Sequence, residues 1–345
     1  MPNSVPIVHN INAVHPNKYD SDKKINENGA TNCINKMLFF VPSRHEKTIF
    51  IEVKDDRIIH VKQYAHNEDD LFSNGIVWRS QISKTSSVLL FFIHGVGASC
   101  QIWDQQVNYF LKYGYDIVTV DLLGHGFSST PKDFKAYEFT KLAEDILDIF
   151  DKFCKSSNIL IGHSYGCSFC TLLAKERTHG VSKMVLISGG GPTALLPEKC
   201  SAFCLPMPIF YVYKPLLVRI FRRMAFYVNT AKVEKNKNAT FQISSRTLKA
   251  VMQGQKWPFS NEQYYSDLLV PIILIHGKED KFISLEDEIW MKETVYGSEL
   301  KIIDNAGHMS MVESPAVVNK HIHEFLNRDS GSCSSYHNGE ITRTS

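Results

Sequence analysis

From Thr48 onward, apolar and polar positions alternate with a period of two. Ile49, Ile51 and Val53 are interleaved with Glu52 and Lys54, Asp55-Asp56 supplies a turn, and Ile59 and Val61 resume the alternation. This pattern predicts a β-hairpin with one buried face. Further along, the pattern changes to short, continuous apolar runs: Val88 to Ile93, Tyr115 to Val120, Asn158 to Ile161, Val185 to Ile187, Leu269 to His276 and Leu300 to Ile303. Helix-like stretches lie between them. One surrounds Trp103 to Tyr113, and another runs from Phe139, where Leu142, Ala143, Ile146, Ile149, Phe150 and Phe153 recur at three- and four-residue steps. A third spans Cys167 to Ala174, and a last helix starts at Ser314-Pro315 and buries Val318, Ile322 and Phe325, with serine as its cap. Continuous apolar strands alternating with amphipathic helices predict an α/β fold with a mostly parallel, doubly wound sheet. Sites in such sheets form at the carboxyl ends of the strands.

The alternation stops at Ser188-Gly189-Gly190-Gly191-Pro192 and resumes only at about Leu269. That stretch is too long for a loop, so an insertion is expected at about 190–268. Residues 46–328 then form one domain. The segment 1–45, rich in Asn, Lys and Asp, and the polar segment 329–345 show neither period and are expected to be a disordered leader and tail.

Composition narrows the function classes. With 43% hydrophobic residues in 345, the chain can bury a large core, and a net charge of +2 gives no case for nucleic acid as a partner. The eight cysteines show no paired zinc-type spacing, and Cys167 and Cys170 fall three apart on one helix face, a pattern of core packing. No ligand spacing of the H-E-x-x-H kind occurs, so neither metal nor cofactor is expected. The N-terminus lacks a signal-peptide pattern, and no apolar run has membrane-spanning length, so a reduced, cytoplasmic setting is expected.

Gly162-His163-Ser164-Tyr165-Gly166 sits between a predicted strand and a predicted helix. A G-x-S-x-G in that context is a nucleophile elbow: the turn is so sharp that only glycines fit two positions either side of the serine. An unassisted hydroxyl is a poor attacker, so Ser164 needs a base. Downstream, Gly277-Lys278-Glu279-Asp280 follows one predicted strand and Asp304-Asn305-Ala306-Gly307-His308 follows the next. Ser164, Asp280 and His308 thus occur in the order serine, acid, histidine. Glu279 rivals Asp280 as the acid, but the G-x-x-D spacing from Gly277 favours Asp280, whose role would be to fix the tautomer of His308.

These features resemble the α/β-hydrolase superfamily over roughly Thr48 to Leu326. LFFIHGVGAS, DLLGHGFSS, LIGHSYGCSFCTLLA, SGGGPTAL and HGKEDKF are similar to the α/β-hydrolase domain-containing protein 8 group. The resemblance implies an α/β-hydrolase fold with a helical cap in the insertion and backbone N–H groups of Val96 and Tyr165 as oxyanion donors. His94, Gly95 and His163 are then expected to line or support the substrate site. Serine rather than aspartate at 164 weighs against epoxide hydrolase and dehalogenase chemistry. Lipid acyltransferases of the superfamily often place aspartate five positions after the histidine; here Glu313 stands there, which weighs against acyl transfer.

The expected function is therefore a serine hydrolase acting on a small-molecule ester with an apolar acyl group. The alternative is a non-catalytic binding protein that uses the cap as its surface. In that cap an aromatic run broken by Pro206 and Pro208 meets a basic cluster. One reading is a lid. The other is peripheral membrane contact, with Phe210, Tyr211, Tyr213, Leu217 and Phe221 entering the interface and Lys214, Arg219, Arg222 and Arg223 meeting anionic head groups.

Overall fold

A computed structural model describes residues 8–9, 45–65, 87–197, 201–227 and 240–328. The expected leader and tail lie outside the described residues, except for His45, which opens the hairpin, and a two-residue strand β1, Val8–His9, paired antiparallel with that hairpin. That hairpin is β2, His45–Glu52, and β3, Ile58–Ala65. Then come β4, Val88–Ile93; helix α1, Asp104–Phe110; β5, Asp116–Val120; and α2, Phe139–Phe153. The elements β6, Ser157–His163; α3, Tyr165–Glu176; and β7, Val181–Ile187, complete the first half.

Among the described residues, three α-helices lie between β7 and the next strand: α4, Met207–Ala225; α5, Ser245–Gly254; and α6, Glu262–Ser266. They occupy the predicted insertion. The sheet then resumes with β8, Ile272–Gly277; α7, Leu285–Thr294; β9, Glu299–Ile303; and the closing helices α8, Ser310–Glu313, and α9, Pro315–Leu326.

Several boundaries differ from the sequence reading. β8 begins three residues late because Pro271 precedes it; Leu269 is 94% exposed. The prolines read as breaking the cap's aromatic run instead open α4: Pro206 is its N-cap and Pro208 falls in its first turn, where the missing N–H has no helical partner to lose. Ser314 precedes α9, but its hydroxyl makes no cap hydrogen bond.

Strand order across the sheet is β1-β2-β3-β5-β4-β6-β7-β8-β9. Pairing is antiparallel from β1 to β5 and parallel from β5 to β9. The chain adds β5 on one side of β4 and then returns to add β6 on the other. The β4–β6 junction is thus the switch point, where a crevice opens beyond the carboxyl ends of the strands.

Successive β4 side chains face opposite layers. Phe91 packs edge-on against Phe150 of α2, with centroids 5.5 Å apart, while Phe92 meets Trp103 near the start of α1 at 5.1 Å. The β2–β3 turn is tied to α2 by a buried ion pair, Arg57 Nη2 to Asp145 Oδ1 at 2.7 Å. Because Phe91 is wholly buried at the centre of this layer, Phe91→Ala should cost roughly 3–5 kcal/mol in urea-denaturation stability. A loss below about 1 kcal/mol would contradict the packing described.

Candidate active site

β6 runs straight into α3 through Ser164, whose backbone lies at φ 52° and ψ −123°. A non-glycine residue at positive φ is strained, and the turn holds it there by closing tightly on all sides. An added Cβ at Gly166 would lie 2.2 Å from the Ile93 carbonyl oxygen, and one at Gly162 would lie 2.8 Å from the Cys170 sulfur. The Ser164 N–H donates to the Ile187 carbonyl at 2.9 Å, which pins the turn to β7. Cys167 and Cys170 are buried beneath the elbow, and burial pushes both thiols up, so they pack as apolar groups.

His308 and Asp280 are brought together from loops after β9 and β8. His308 Nδ1 is 2.8 Å from Asp280 Oδ2, and Asp280 Oδ1 accepts the Phe282 N–H at 2.8 Å and the Ile283 N–H at 3.1 Å. Burial raises the Asp280 carboxyl, but the His308 bond and charge and these two amides outweigh it and hold the group at about 2. It is therefore a carboxylate at neutral pH. His163 lies behind His308, with ring centroids 4.8 Å apart, and its Nε2–H donates to the His308 carbonyl at 3.0 Å. Burial, with the neighbouring His308 charge, lowers the basicity of His163 well below the usual range. A neutral His163 thus positions the backbone of His308 without adding a like charge.

Glu313 adds a clamp whose geometry the sequence does not show. One carboxylate oxygen accepts the Gly307 N–H at 2.7 Å and the other accepts the Tyr227 N–H at 2.7 Å, while the Met309 N–H donates to the Ala225 carbonyl at 3.1 Å. The histidine loop is stitched to the end of α4. No local motif announces this, because Tyr227 and Glu313 meet only in the folded chain.

Val96 and Tyr165 line the same cavity as Ser164, and among the described residues no hydrogen bond occupies either backbone N–H. Tyr165 opens α3, so its amide also lies at the positive end of that helix. Of the three residues expected to line or support the substrate site, His163 is among the cavity's walls, whereas His94 and Gly95 are not and stand beside the elbow. An added Cβ at Gly95 would stand 2.9 Å from the Ser164 Cβ, so Gly95 is required by close approach of the β4 loop to the elbow. His94 is fully buried; its Nδ1–H donates to the Gly95 carbonyl at 2.7 Å and its Nε2 accepts the Leu122 N–H at 3.0 Å. Burial keeps it neutral, which this donor-plus-acceptor pairing requires.

His60, Cys100 and Asp121 also converge, with possible ligand atoms within 4.8 Å of one another. The Asp121 oxygens are already engaged, accepting from Cys100 N at 2.7 Å and Phe127 N at 3.0 Å, with His60 Nδ1 at 2.7 Å. Burial and the Asp121 charge push the Cys100 thiol well up, so no thiolate is at hand. Through these bonds Asp121 braces the loops after β4 and β5.

A cavity of about 260 Å³ opens over Ser164 and His308. Its walls are mostly apolar: Val96, Leu195, Leu248, Met252, Ile283 and Met309, with Phe221, Phe241 and Phe282 toward the cap. Phe282 stands edge-on to the His308 ring at 5.1 Å, Phe221 touches Phe282 at 5.9 Å, and the Phe241 N–H donates to Gly97 at 2.6 Å. Ser188 also lines the cavity, at φ 51°, and its hydroxyl has no hydrogen-bond partner among the described residues. Its positive φ at the end of β7 has no sequence signal.

An α/β-hydrolase is defined by this combination of sheet, switch point, elbow and cap, and the chain belongs to the α/β-hydrolase superfamily. The family model for the alpha/beta hydrolase fold matches residues 88–208. Over 244 residues the chain resembles the protein ABHD8 of Bos taurus at 46% identity, covering 70% of this chain and 56% of that protein. The chain thus spans little more than half the length of these curated relatives. It is also 25% identical to epoxide hydrolase 3 of Xenopus tropicalis, over 70% of this chain and 72% of that protein. Among solved structures, an esterase from Exiguobacterium antarcticum superposes with TM-score 0.66 at 19% identity, covering 81% of this chain and 99% of that one.

Behind the acid loop, Glu288 of α7 is fully buried, and its Oε1 accepts the Gly190 N–H at 3.1 Å. Burial raises its carboxyl from 4.5 to about 8, against the lowering effect of the Gly190 and Gly189 amides. The folded protein therefore keeps a proton that the unfolded chain releases, so stability should fall as pH rises from about 4.5 to about 8. Glu288→Gln keeps an acceptor for Gly190 but cannot ionise. Its melting temperature, followed by circular dichroism, should decline less than that of the wild type across this window; parallel curves would contradict the assignment.

Proposed function

We propose that the protein is a serine hydrolase that cleaves an ester with an apolar acyl group through an acyl-enzyme. The observation that carries this reading is the strained Ser164, held at the floor of an apolar cavity that it shares with a histidine oriented by a buried carboxylate. Strain at a residue that core packing does not need is a mark of a functional turn. The likeness to an esterase structure supports the fold, and serine at the elbow supports acyl chemistry over the epoxide opening named for the more distant relative.

In the proposed cycle the Ser164 oxygen attacks the acyl carbonyl while His308 Nε2 takes its proton. Negative charge collects on the carbonyl oxygen, which faces the Val96 and Tyr165 amides; donors so placed are typically worth about 10²- to 10³-fold in rate. Asp280, ionised throughout, fixes the proton on His308 Nδ1 and stabilises the imidazolium. His308 then protonates the leaving alkoxide, which departs as the alcohol. Water, deprotonated by His308, attacks the acyl-enzyme; the acid leaves and Ser164 recovers its proton. The aromatic and aliphatic walls suit a hydrocarbon acyl chain, whose burial contributes about 0.8 kcal/mol per methylene.

A fluorophosphonate probe should label the wild type, and Ser164→Ala should abolish both labelling and hydrolysis of an aryl acyl ester. Asp280→Asn should keep the fold but lower kcat on the order of 10⁴-fold, the cost of losing the correct tautomer. If the wild type resists the probe under conditions that label a known serine hydrolase, the non-catalytic binding reading takes precedence.

A further inference from the structure

α4 presents two unlike faces. Toward the protein it turns Phe210, fully buried, with Leu217 and Phe221 packed into a cluster around Phe203, Ile243 and Leu248. Lys214 donates to the Ile243 carbonyl, and Arg222 donates to the Thr240 carbonyl at 2.7 Å. These five residues, read from the sequence as candidates for lipid contact, instead hold α4 onto the strand of chain returning to the oxyanion loop. That corrects which residues face outward.

Away from the protein, Ile209, Val212, Tyr213, Leu216 and Ile220 are between 42% and 74% exposed. Their three- and four-residue spacing places them on one stripe of the helix, and the exposed Arg219 and Arg223 continue that stripe at its C-terminal end. Residues 201–227 contain no acidic side chain. Across 201–239 seven basic residues stand against Glu234 alone, although the whole chain carries only +2. Arg219 and Arg223 thus set positive charge beside an apolar surface that costs free energy in water.

We propose that this face of α4 is a peripheral docking surface for an anionic phospholipid bilayer. The helix lies in the plane of the interface, with Val212 and Leu216 among the acyl-chain ends of the head groups and Arg219 and Arg223 on the phosphates. Among the described residues no helix is long and apolar enough to cross a membrane, so the contact is one of surface and not of span. A second copy seated on the same face would bring two basic segments together, whereas an anionic surface neutralises them. Docking would set Phe221, on the inner side of α4, about one helix diameter, roughly 10 Å, from the lipid. The proposal does not depend on the hydrolase reading, because its readout is binding.

The test is co-sedimentation of the full chain with phosphatidylcholine vesicles, with and without phosphatidylserine, at low and high salt. The wild type should favour the phosphatidylserine vesicles and lose that preference as salt rises. Arg219→Ala/Arg223→Ala should bind roughly 30-fold more weakly, the effect of two basic residues at about 1 kcal/mol each, whereas Arg219→Lys/Arg223→Lys should bind as the wild type does. Val212→Ser/Leu216→Ser should also weaken binding, and melting curves should show all three variants folded, since the altered side chains are exposed. No preference for phosphatidylserine in the wild type, or wild-type binding by both weakening variants, would overturn the proposal. So would a wild-type dimer in velocity sedimentation that Val212→Ser/Leu216→Ser dissociates while vesicle binding is absent.

Discussion

The structure depends on one close approach: the loop after β4 pressed against the turn after β6. Parallel strands put these two ends side by side at the switch point, glycine at 95 and 166 lets the backbones meet without a Cβ between them, and glycine at 162 leaves room for α3 to turn back against β6. Ser164 takes up the strain at φ 52°, which lifts its side chain off the sheet into the crevice. Val96 and Tyr165, which line the cavity with Ser164, take their places from where β4 ends and α3 begins.

Around that approach the histidines are sorted by burial. His94 and His163 are kept neutral; His94 spends both ring nitrogens on backbone groups of the loops after β4 and β5, and His163 spends its Nε2–H on the His308 carbonyl. Of these three, His308 is the one hydrogen-bonded to a carboxylate, Asp280 Oδ2 at 2.8 Å, among the described residues. A second buried ring carrying charge beside His308 would oppose the imidazolium that the proposed cycle forms, so the neutral supports are as much part of the site's electrostatics as Asp280.

The cap is not an independent layer. The end of α4 is bonded to the histidine loop through Glu313 and Met309, and Phe241 is bonded to the loop after β4 at Gly97. The aromatic series Phe203, Phe221, Phe282 connects the cap's small core to the His308 ring. Any displacement of α4 is therefore felt at both ends of the site. The basic, apolar outer stripe of the same helix gives an external surface a direct mechanical link to it.

Local signals were enough for much of this. The period-two hairpin, the helix from Phe139 to Phe153 and the strand-turn-helix around Ser164 are each set by a few neighbouring residues: alternation, three- and four-residue spacing, or glycines bracketing a serine. The choice of Asp280 over Glu279 also rested on local spacing, and the folded chain points Asp280 at His308. What stayed hidden depends on residues far apart in the chain. By motif His94 and Gly95 could equally line the pocket or support it, and the packing of β4 against β6 leaves them out of its walls. Glu313 reads as a variant of an acyltransferase position, but its two oxygens bind amides on different segments, Gly307 and Tyr227, which only folding brings together. In α4 the sequence announces aromatic and basic residues, while tertiary contacts alone decide which of them turn inward. By itself, then, the sequence determined the elements, the elbow and the chain order of serine, acid and histidine, because those are short-range properties of the backbone. Only the tertiary structure decided which side chains reach the cavity, which support it from behind and which face outward, because burial is a property of the whole fold.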